Sequence, residues 1–244
     1  MTMSVRVCRD PAALFEVAAA LFEEMAVTAV EARGSFAVAL SGGSTPRGLY
    51  ERLAGDAALR NRVPWTEIDW WWSDERHVPP DSPESNYRLA ADTLLSRVPV
   101  TPWRVHRYRA EDPDARRVAR EYEFAIRCGF PSPPRFDLVL LGLGPDGHTA
   151  SLFPGTAALA EREQLVVAND VPALKTVRLT FTLPLINDAR AVIFLVAGED
   201  KRTILASVLN GPARVLPAQL VEPVDGELIW VVDAAAARGL PDAS

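Results

Sequence analysis

The chain has 244 residues, with 26 Lys and Arg against 32 Asp and Glu, so its formal net charge is −6 at pH 7. This balance argues against a nucleic-acid-binding or membrane-surface protein, because such proteins usually present a basic face to phosphates or anionic lipids. Apolar residues make up 48% of the chain and charged residues 24%, a composition typical of a folded globular protein and not of a disordered one.

The cysteine content and the N-terminal sequence indicate a cytoplasmic protein. Cys8 and Cys128 are too few and too far apart in sequence for a disulfide framework or a zinc site. No apolar run of signal-peptide type follows the N-terminus, and no segment is apolar over the length of a membrane span. We expect one domain over residues 1–244, with monomer and homodimer both left open.

The predicted elements alternate between helix and strand along the chain. An amphipathic helix is predicted from about Pro11 to Glu31, because apolar residues recur there at three- and four-residue spacings. Five short apolar runs of strand length follow, at Phe36–Leu40, Ile68–Trp72, Leu138–Leu143, Val177–Phe181 and Ala191–Val196. Helical stretches lie between several of them, at Arg47–Leu53, Tyr87–Leu95, Pro113–Arg127 and Glu199–Leu209, and a last strand is predicted at Leu228–Val232. This order predicts an α/β fold with a doubly wound, mainly parallel sheet covered by helices on both faces.

Four polar clusters follow predicted strands at their carboxyl ends. They are Ser41–Pro46, Ser73–Arg76, Gly144–His148 and Gly198–Lys201. Ligands of open parallel sheets bind at that edge, where loops and helix N-termini converge. The sequence therefore predicts one binding site built from all four clusters.

The first cluster, SGGSTP, has the composition of an anion-binding loop. Gly42 and Gly43 let backbone N–H groups approach an oxyanion closely, and hydroxyl donors are added by Ser41, Ser44 and Thr45. Thr45 is predicted to be the N-cap of a helix that starts at Pro46, which would turn the helix N-terminus toward the same anion. The loop lacks the Gly-Lys-Ser/Thr ending of a nucleotide P-loop, so a single phosphate is favoured. A tight turn without a ligand is the alternative.

The third cluster presents two titratable side chains. Residues 142–147 match the dinucleotide pattern G-x-G-x-x-G, but no helix opens there, since Pro154 and Gly155 follow closely. We favour a loop that presents Asp146 and His148, because an imidazole can take up and return a proton near neutral pH. A purely structural histidine is the alternative.

Charged residues in other clusters suit an anionic substrate. Asp74 and Arg76 follow three consecutive tryptophans, and Arg178 and Lys201 are natural counter-charges to a phosphate. Taken singly, each is more typical of a surface ion pair than of a ligand site. Neither a G-x-S-x-G nucleophile motif nor a histidine pattern for a metal site is found.

Five motifs in order resemble the 6-phosphogluconolactonase family, within the larger glucosamine-6-phosphate deaminase and isomerase superfamily. They are ALSGGSTPRGLYERLA at 39–54, WWWSDERHVPPDSPESNYRLA at 70–90, FDLVLLGLGPDGHTASLFPG at 136–155, VRLTFTLPLIN at 177–187 and FLVAGEDKRTIL at 194–205. The resemblance covers nearly the whole chain and implies a three-layer α/β/α fold of the Rossmann-like, deaminase/ribose-phosphate isomerase-like type.

The resemblance implies hydrolysis of 6-phospho-D-glucono-1,5-lactone to 6-phosphogluconate, without metal or organic cofactor. His148 would be the general base, Asp146 would orient it and Arg76 would stabilise the oxyanion, with Asp74 and Asn86 near the sugar hydroxyls or Arg76. The phosphate would be held by residues 42–45 together with Arg178 and Lys201.

Two other functions remain open at this stage. Deaminases of the superfamily typically carry Phe-Asn-Glu-Pro after the histidine, whereas this chain has Ser151-Leu152-Phe153-Pro154. Phe153 thus stands where the deaminase glutamate pairs with the histidine, which favours the lactonase. A non-catalytic sugar-phosphate sensor would bind the same ligand without turnover.

Overall fold

The structure is a computed structural model that describes residues 2–240. Met1 and residues 241–244, the ends of the expected domain 1–244, lie outside the described residues. The strands are β1 Thr2–Cys8, β2 Phe36–Leu40, β3 Ile68–Trp72, β4 Asp74–Arg76, β5 Leu138–Leu141, β6 Val166–Val171, β7 Thr176–Phe181, β8 Ala191–Val196 and β9 Glu227–Asp233. The α-helices are α1 Pro11–Arg33, α2 Ser44–Gly55, α3 Ala57–Arg62, α4 Asn86–Ala90, α5 Ala115–Gly129, α6 Leu183–Asn187, α7 Arg202–Asn210 and α8 Ala234–Ala237.

The main sheet has six strands in the order β1-β9-β8-β5-β2-β3, and every neighbouring pair is parallel. This confirms the predicted doubly wound parallel sheet. From β2 the chain moves outward to β3 and then returns to the other side of β2 to form β5. The carboxyl ends of β2 and β5 therefore flank the point where strand order reverses, which is where open α/β sheets bind ligands.

The three consecutive tryptophans show how helices cover both faces. Trp70 stacks on Phe22 of α1, with ring centroids 6.1 Å apart, whereas Trp71 lies edge-to-face with Tyr122 of α5 at 5.5 Å. Successive side chains of a strand point to opposite faces of the sheet. One face of β3 is thus packed against α1 and the other against α5, so the strand is anchored firmly before it reaches the polar cluster that follows.

A second sheet was not predicted. It has three antiparallel strands in the order β4-β7-β6, and β7 contains the run Val177–Phe181 that the sequence analysis placed in the parallel sheet. That prediction was wrong, because a short turn at Pro172–Leu174 folds β7 back onto β6 as a hairpin. Short runs of apolar residues indicate a strand but not its partner. β4 and β6 were missed because their sequences, DER and VVANDV, lack an uninterrupted apolar run.

Helix boundaries differ from prediction most at the glycine loop. Thr45 is not the N-cap: Gly43 takes that position with φ 106°, and α2 begins at Ser44 without a side-chain cap. Glycine reaches this φ at little cost, which lets the helix begin earlier than an N-cap threonine would indicate. The predicted helix 87–95 is α4 followed by a π-helical turn at Ala91–Leu95, and the segment 199–209 begins as a 3₁₀ turn before α7. The edge strand β1, largely exposed, was also missed.

Among residues 2–240, the helices are too short or too polar to cross a membrane.

Candidate active site

A cavity of about 270 Å³ opens at the carboxyl edge of the main sheet. All four predicted clusters and Asn86 from α4 contribute to its wall. The lining residues are Ser41, Gly42, Gly43, Asp74, Arg76, Asn86, Gly142, Leu143, Gly144, Pro145, His148, Thr149, Ala150 and Lys201. The cavity thus lies at the strand-order reversal between β2 and β5, and segments distant in sequence meet there.

Ser73 connects the strand ends next to this cavity. Its backbone N–H donates to Leu40 O at 2.8 Å, and its hydroxyl lies 3.1 Å from the same oxygen and 3.5 Å from Leu140 O. Its own carbonyl accepts from Phe181 N at 2.8 Å. One serine therefore joins the ends of β2, β3 and β5 to the second sheet.

The glycine loop offers several free donors. No backbone N–H of residues 42–45 makes a hydrogen bond within the described part of the chain. The Ser41 hydroxyl is also without a partner there, although the residue is only 3% exposed. Buried polar groups are normally hydrogen-bonded, and the first turn of a helix attracts anions. The loop therefore has the donors that an oxyanion would need.

His148 is held by Asp146 in one tautomer. Asp146 Oδ1 lies 2.5 Å from His148 Nδ1 and accepts the His148 backbone N–H at 3.1 Å. Burial opposes ionisation of Asp146, but these two hydrogen bonds and the nearby imidazole lower the pKa of its carboxyl below the ordinary value of 3.8. Because a carboxylate only accepts, Nδ1 carries the proton and Nε2 keeps its lone pair. That lone pair is what a general base requires.

Two neighbours set the position of the imidazole plane. Phe153 stacks on the ring, with centroids 4.1 Å apart and planes inclined by 30°. The second neighbour is Gly144, where a Cβ would stand 2.1 Å from both Nδ1 and Cε1 of the His148 ring. Only glycine leaves this space open, so the second glycine of the G-x-G-x-x-G match makes room for the His148 side chain.

A buried network orients Asp74, which lines the same cavity as His148. Asp74 Oδ2 accepts the Ser151 hydroxyl at 2.7 Å, and Oδ1 accepts the Asn86 amide at 3.2 Å. Asn86 also donates to the Asp74 carbonyl at 2.9 Å. A Cβ at Gly42 would stand 1.8 Å from Asn86 Oδ1, so Gly42 makes room for this amide. The carboxylate is thereby fixed at the wall of the cavity.

Glu75 holds the start of α4 and with it Asn86. Its carboxyl oxygens accept the backbone N–H groups of Asn86 and Arg76 at 2.7 Å each and that of Tyr87 at 2.8 Å, and the Ser85 hydroxyl at 3.0 Å. Burial raises the pKa of Glu75 above its ordinary value, and the hydrogen bonds work against that effect. Glu75 is therefore a supporting residue outside the cavity.

Three cations lie at or beside the cavity. Arg76 and Lys201 are part of its wall, and Arg178 is the direct cross-strand partner of Arg76 in the second sheet. Arg76 Nη1 donates to Glu84 O at 2.6 Å, whereas Arg178 forms no ion pair with any residue in 2–240. Burial, followed by the charge of Arg76, lowers the pKa of Arg178. Within residues 2–240, Lys201 forms an ion pair only with the exposed Asp200, at 3.5 Å. Positive charge is thus concentrated at this edge of an acidic protein.

The predicted site residues differ in their position relative to the cavity. Eight of them line it. Asp146 contacts the His148 ring without lining the cavity, and Arg178 is paired with Arg76 across the second sheet. Ser44 and Thr45, at the start of α2, are not among the residues that line the cavity. Sequence reasoning missed the roles of Gly144, Ser151 and Glu75, since nothing in the local sequence shows that their partners lie 4, 77 and 10 to 12 residues away.

No three His, Cys, Asp or Glu side chains are grouped as metal ligands anywhere in residues 2–240.

The fold is that of a known enzyme family. The model of the family described as glucosamine-6-phosphate isomerases/6-phosphogluconolactonase matches residues 9–230, and the chain belongs to this family. A Nostoc sp. protein named 6-phosphogluconolactonase is 40% identical over 246 residues, covering 98% of this chain and 99% of the relative.

Solved structures show the same relationship. The 6-phosphogluconolactonase of Trypanosoma brucei superposes with a TM-score of 0.85 at 30% identity, covering 98% of both chains. A monomeric glucosamine-6-phosphate deaminase superposes with a TM-score of 0.81 at 20% identity, covering 98% of this chain and all of the other. At that identity the deaminase shows a shared fold alone.

Proposed function

We propose that the protein hydrolyses 6-phospho-D-glucono-1,5-lactone to 6-phosphogluconate, the lactonase step of the oxidative pentose phosphate pathway. The observation that carries this proposal is the His148–Asp146 pair, whose free Nε2 belongs to a residue lining a cavity rich in anion-binding groups. The names of the relatives, among them the Nostoc sp. and Trypanosoma brucei proteins, support the same reaction.

The phosphate of the substrate has a set of suitable partners. The free backbone N–H groups of residues 42–45 and the Ser41 hydroxyl supply hydrogen bonds, and Lys201 and Arg178 supply charge. Charge-assisted bonds to phosphate are about twice as strong as neutral ones. Placed there, the phosphate anchors the lactone ring within the cavity.

Hydrolysis then needs one proton carrier. His148 Nε2 takes a proton from water while the water oxygen bonds to the C1 carbonyl carbon, and the carbonyl electrons move onto oxygen. When the intermediate collapses, the bond between C1 and the ring oxygen breaks, and Nε2 returns the proton to that oxygen. Arg76 faces the developing oxyanion, a role worth about 3 to 4 kcal/mol for a single well-placed donor. Asp74 and Asn86 hold sugar hydroxyls.

The deaminase alternative lacks a proton-relay partner. Phe153 stacks on the His148 ring at the position where a deaminase of the superfamily carries a carboxylate. An apolar ring cannot accept or relay the protons that amine elimination requires. Ester hydrolysis needs only water activation, which the His148–Asp146 pair provides, and stabilisation of the oxyanion, which Arg76 provides.

We also propose that the protein acts in the cytoplasm, on a small phosphosugar and not on nucleic acid or membrane. The net charge of −6 and two unpaired cysteines support this placement.

The direct test generates the phospholactone in situ and couples its hydrolysis to oxidation of 6-phosphogluconate. The expected result is a saturable rate well above spontaneous hydrolysis, without ammonia release from glucosamine 6-phosphate. Saturable binding of the lactone without turnover would instead support a sensor, and ammonia release would support a deaminase.

A further inference from the structure

A second, larger cavity lies at the opposite end of the main sheet. It has a volume of about 720 Å³ and is bordered by residues at or next to the starts of β2, β3, β5 and β8. Ligand pockets of proteins usually measure roughly 300 to 1,000 Å³. The active-site residues lie at the carboxyl ends of the same strands, so this cavity is separate from the catalytic one.

One side of this cavity carries excess positive charge. Asp137 Oδ1 contacts both Arg33 Nη2 at 2.6 Å and Arg190 Nε at 3.3 Å. Arg135 supplies the third guanidinium of this wall, and its Nη2 donates a hydrogen bond to the backbone oxygen of Asp225. Asp137 Oδ2 accepts Ala37 N at 2.8 Å, and the second carboxylate of the lining, Asp69, is paired with Arg104 at 2.6 Å. The three arginines of the wall therefore have only the shared carboxylate of Asp137 to balance their charge within the lining.

Two donors of this wall have no partner. Arg135 Nε and Trp71 Nε1 are shielded from solvent and make no hydrogen bond to any of residues 2–240. Burial, together with the charges of Arg33 and Arg135, lowers the pKa of Arg190. Repulsion among like charges is relieved when an anion binds between them.

The remaining wall is apolar and aromatic. Trp71 is stacked on His106 with centroids 3.9 Å apart, and Phe130 lies 5.8 Å from the same indole. Pro131 and Pro133 extend this surface toward solvent. Flat rings stack favourably on such side chains. The apolar side of the cavity therefore suits an aromatic group, and the arginine side suits an anionic group.

We propose that this cavity binds a planar aromatic organic anion of about mononucleotide size, with its phosphate on Arg33 and Arg190 and its ring on the surface formed by Phe130, Pro131 and Pro133. The site is independent of the hydrolytic reaction proposed above.

Adenosine 5′-monophosphate is the probe, measured by isothermal titration calorimetry on the whole chain. Adenosine lacks the anion and ribose 5-phosphate lacks the ring, and each is expected to bind at least about tenfold more weakly. Arg190→Gln should weaken the nucleotide about tenfold or more, the effect expected for loss of one charge-assisted phosphate contact. Arg33 still pairs with Asp137 in this variant, and Arg33→Gln serves as the second variant should the first fail to fold.

Two controls separate this site from the catalytic cavity. Lys201→Ala alters only the catalytic cavity and should leave nucleotide affinity unchanged, as should Arg9→Gln at an exposed position. Lactone hydrolysis should be unchanged in Arg190→Gln. Absence of saturable binding in the millimolar range, full affinity in both arginine variants, or loss of affinity in Lys201→Ala would each overturn the proposal.

Discussion

Gly144 leaves the space that the His148 imidazole occupies. A methyl group on Gly144 would approach the ring to 2.1 Å, while the backbone at Gly144 lies outside the positive-φ region. The glycine is therefore needed for the position of the ring and not for the shape of the loop. The imidazole is thus confined between Gly144, Phe153 and Asp146.

Gly144→Ala should displace the imidazole and lower kcat by about 10²-fold, because a misplacement of about 1 Å is enough for such a loss. Binding of phosphate is expected to persist, so KM should change much less. Gly55→Ala is the matched control, since a Cβ there meets nothing within 4 Å. Steady-state kinetics of lactone hydrolysis gives both constants; equal kcat in the two variants would contradict the role given to Gly144.

Asp146→Asn should lower kcat by about 10²- to 10⁴-fold with KM little changed, because the amide can donate to Nδ1 and move the ring proton to Nε2. Asp188→Asn, at an exposed site, is the control. A variant that keeps wild-type turnover would show that His148 needs no partner to hold its tautomer.

The same pair makes a pH-dependent contribution to stability. The folded pKa of Asp146 lies below 3.8, so its contribution is present above pH 3.8 and is lost as pH falls through the folded value. Chemical denaturation should therefore show a difference between wild type and Asp146→Asn that is constant from neutral pH to about pH 4 and shrinks below it. A difference that grows on acidification would reverse the sign argued here.

Lys201→Ala should raise KM about tenfold or more while kcat stays within about threefold, since a phosphate contact far from the reacting carbonyl binds ground state and transition state alike. Arg9→Ala, 81% exposed at its side chain, controls for loss of one positive charge. A fall in kcat at unchanged KM would instead place Lys201 in the chemical step.

The order of motifs made the main sheet and the His148–Asp146 pair predictable. Apolar runs such as Phe36–Leu40 are buried on both faces, and a parallel sheet brings the loops after its strands to one edge. The second sheet could not be predicted in this way, because β4 is three charged residues whose partner β7 lies about 100 residues later. Its strand character comes from that pairing and not from its own composition.

Residues that act by contact with distant partners were the least predictable. In the sequence, Ser151 looks like an ordinary loop serine. In the structure, its hydroxyl donates to Asp74 Oδ2 at 2.7 Å. Glu75 looks like a surface charge in the sequence, but in the structure it accepts two backbone N–H groups of α4 and the hydroxyl of Ser85, the N-cap of that helix. Both depend on the fold as a whole.

The account rests on His148 as the proton carrier, and His148→Asn measures this most directly. With the phospholactone generated in situ and the spontaneous rate subtracted, kcat should fall by about 10²- to 10⁴-fold, the usual contribution of a general acid–base group. Binding of 6-phosphogluconate should be retained, since the phosphate partners are untouched. Turnover within about threefold of wild type would contradict the proposed mechanism.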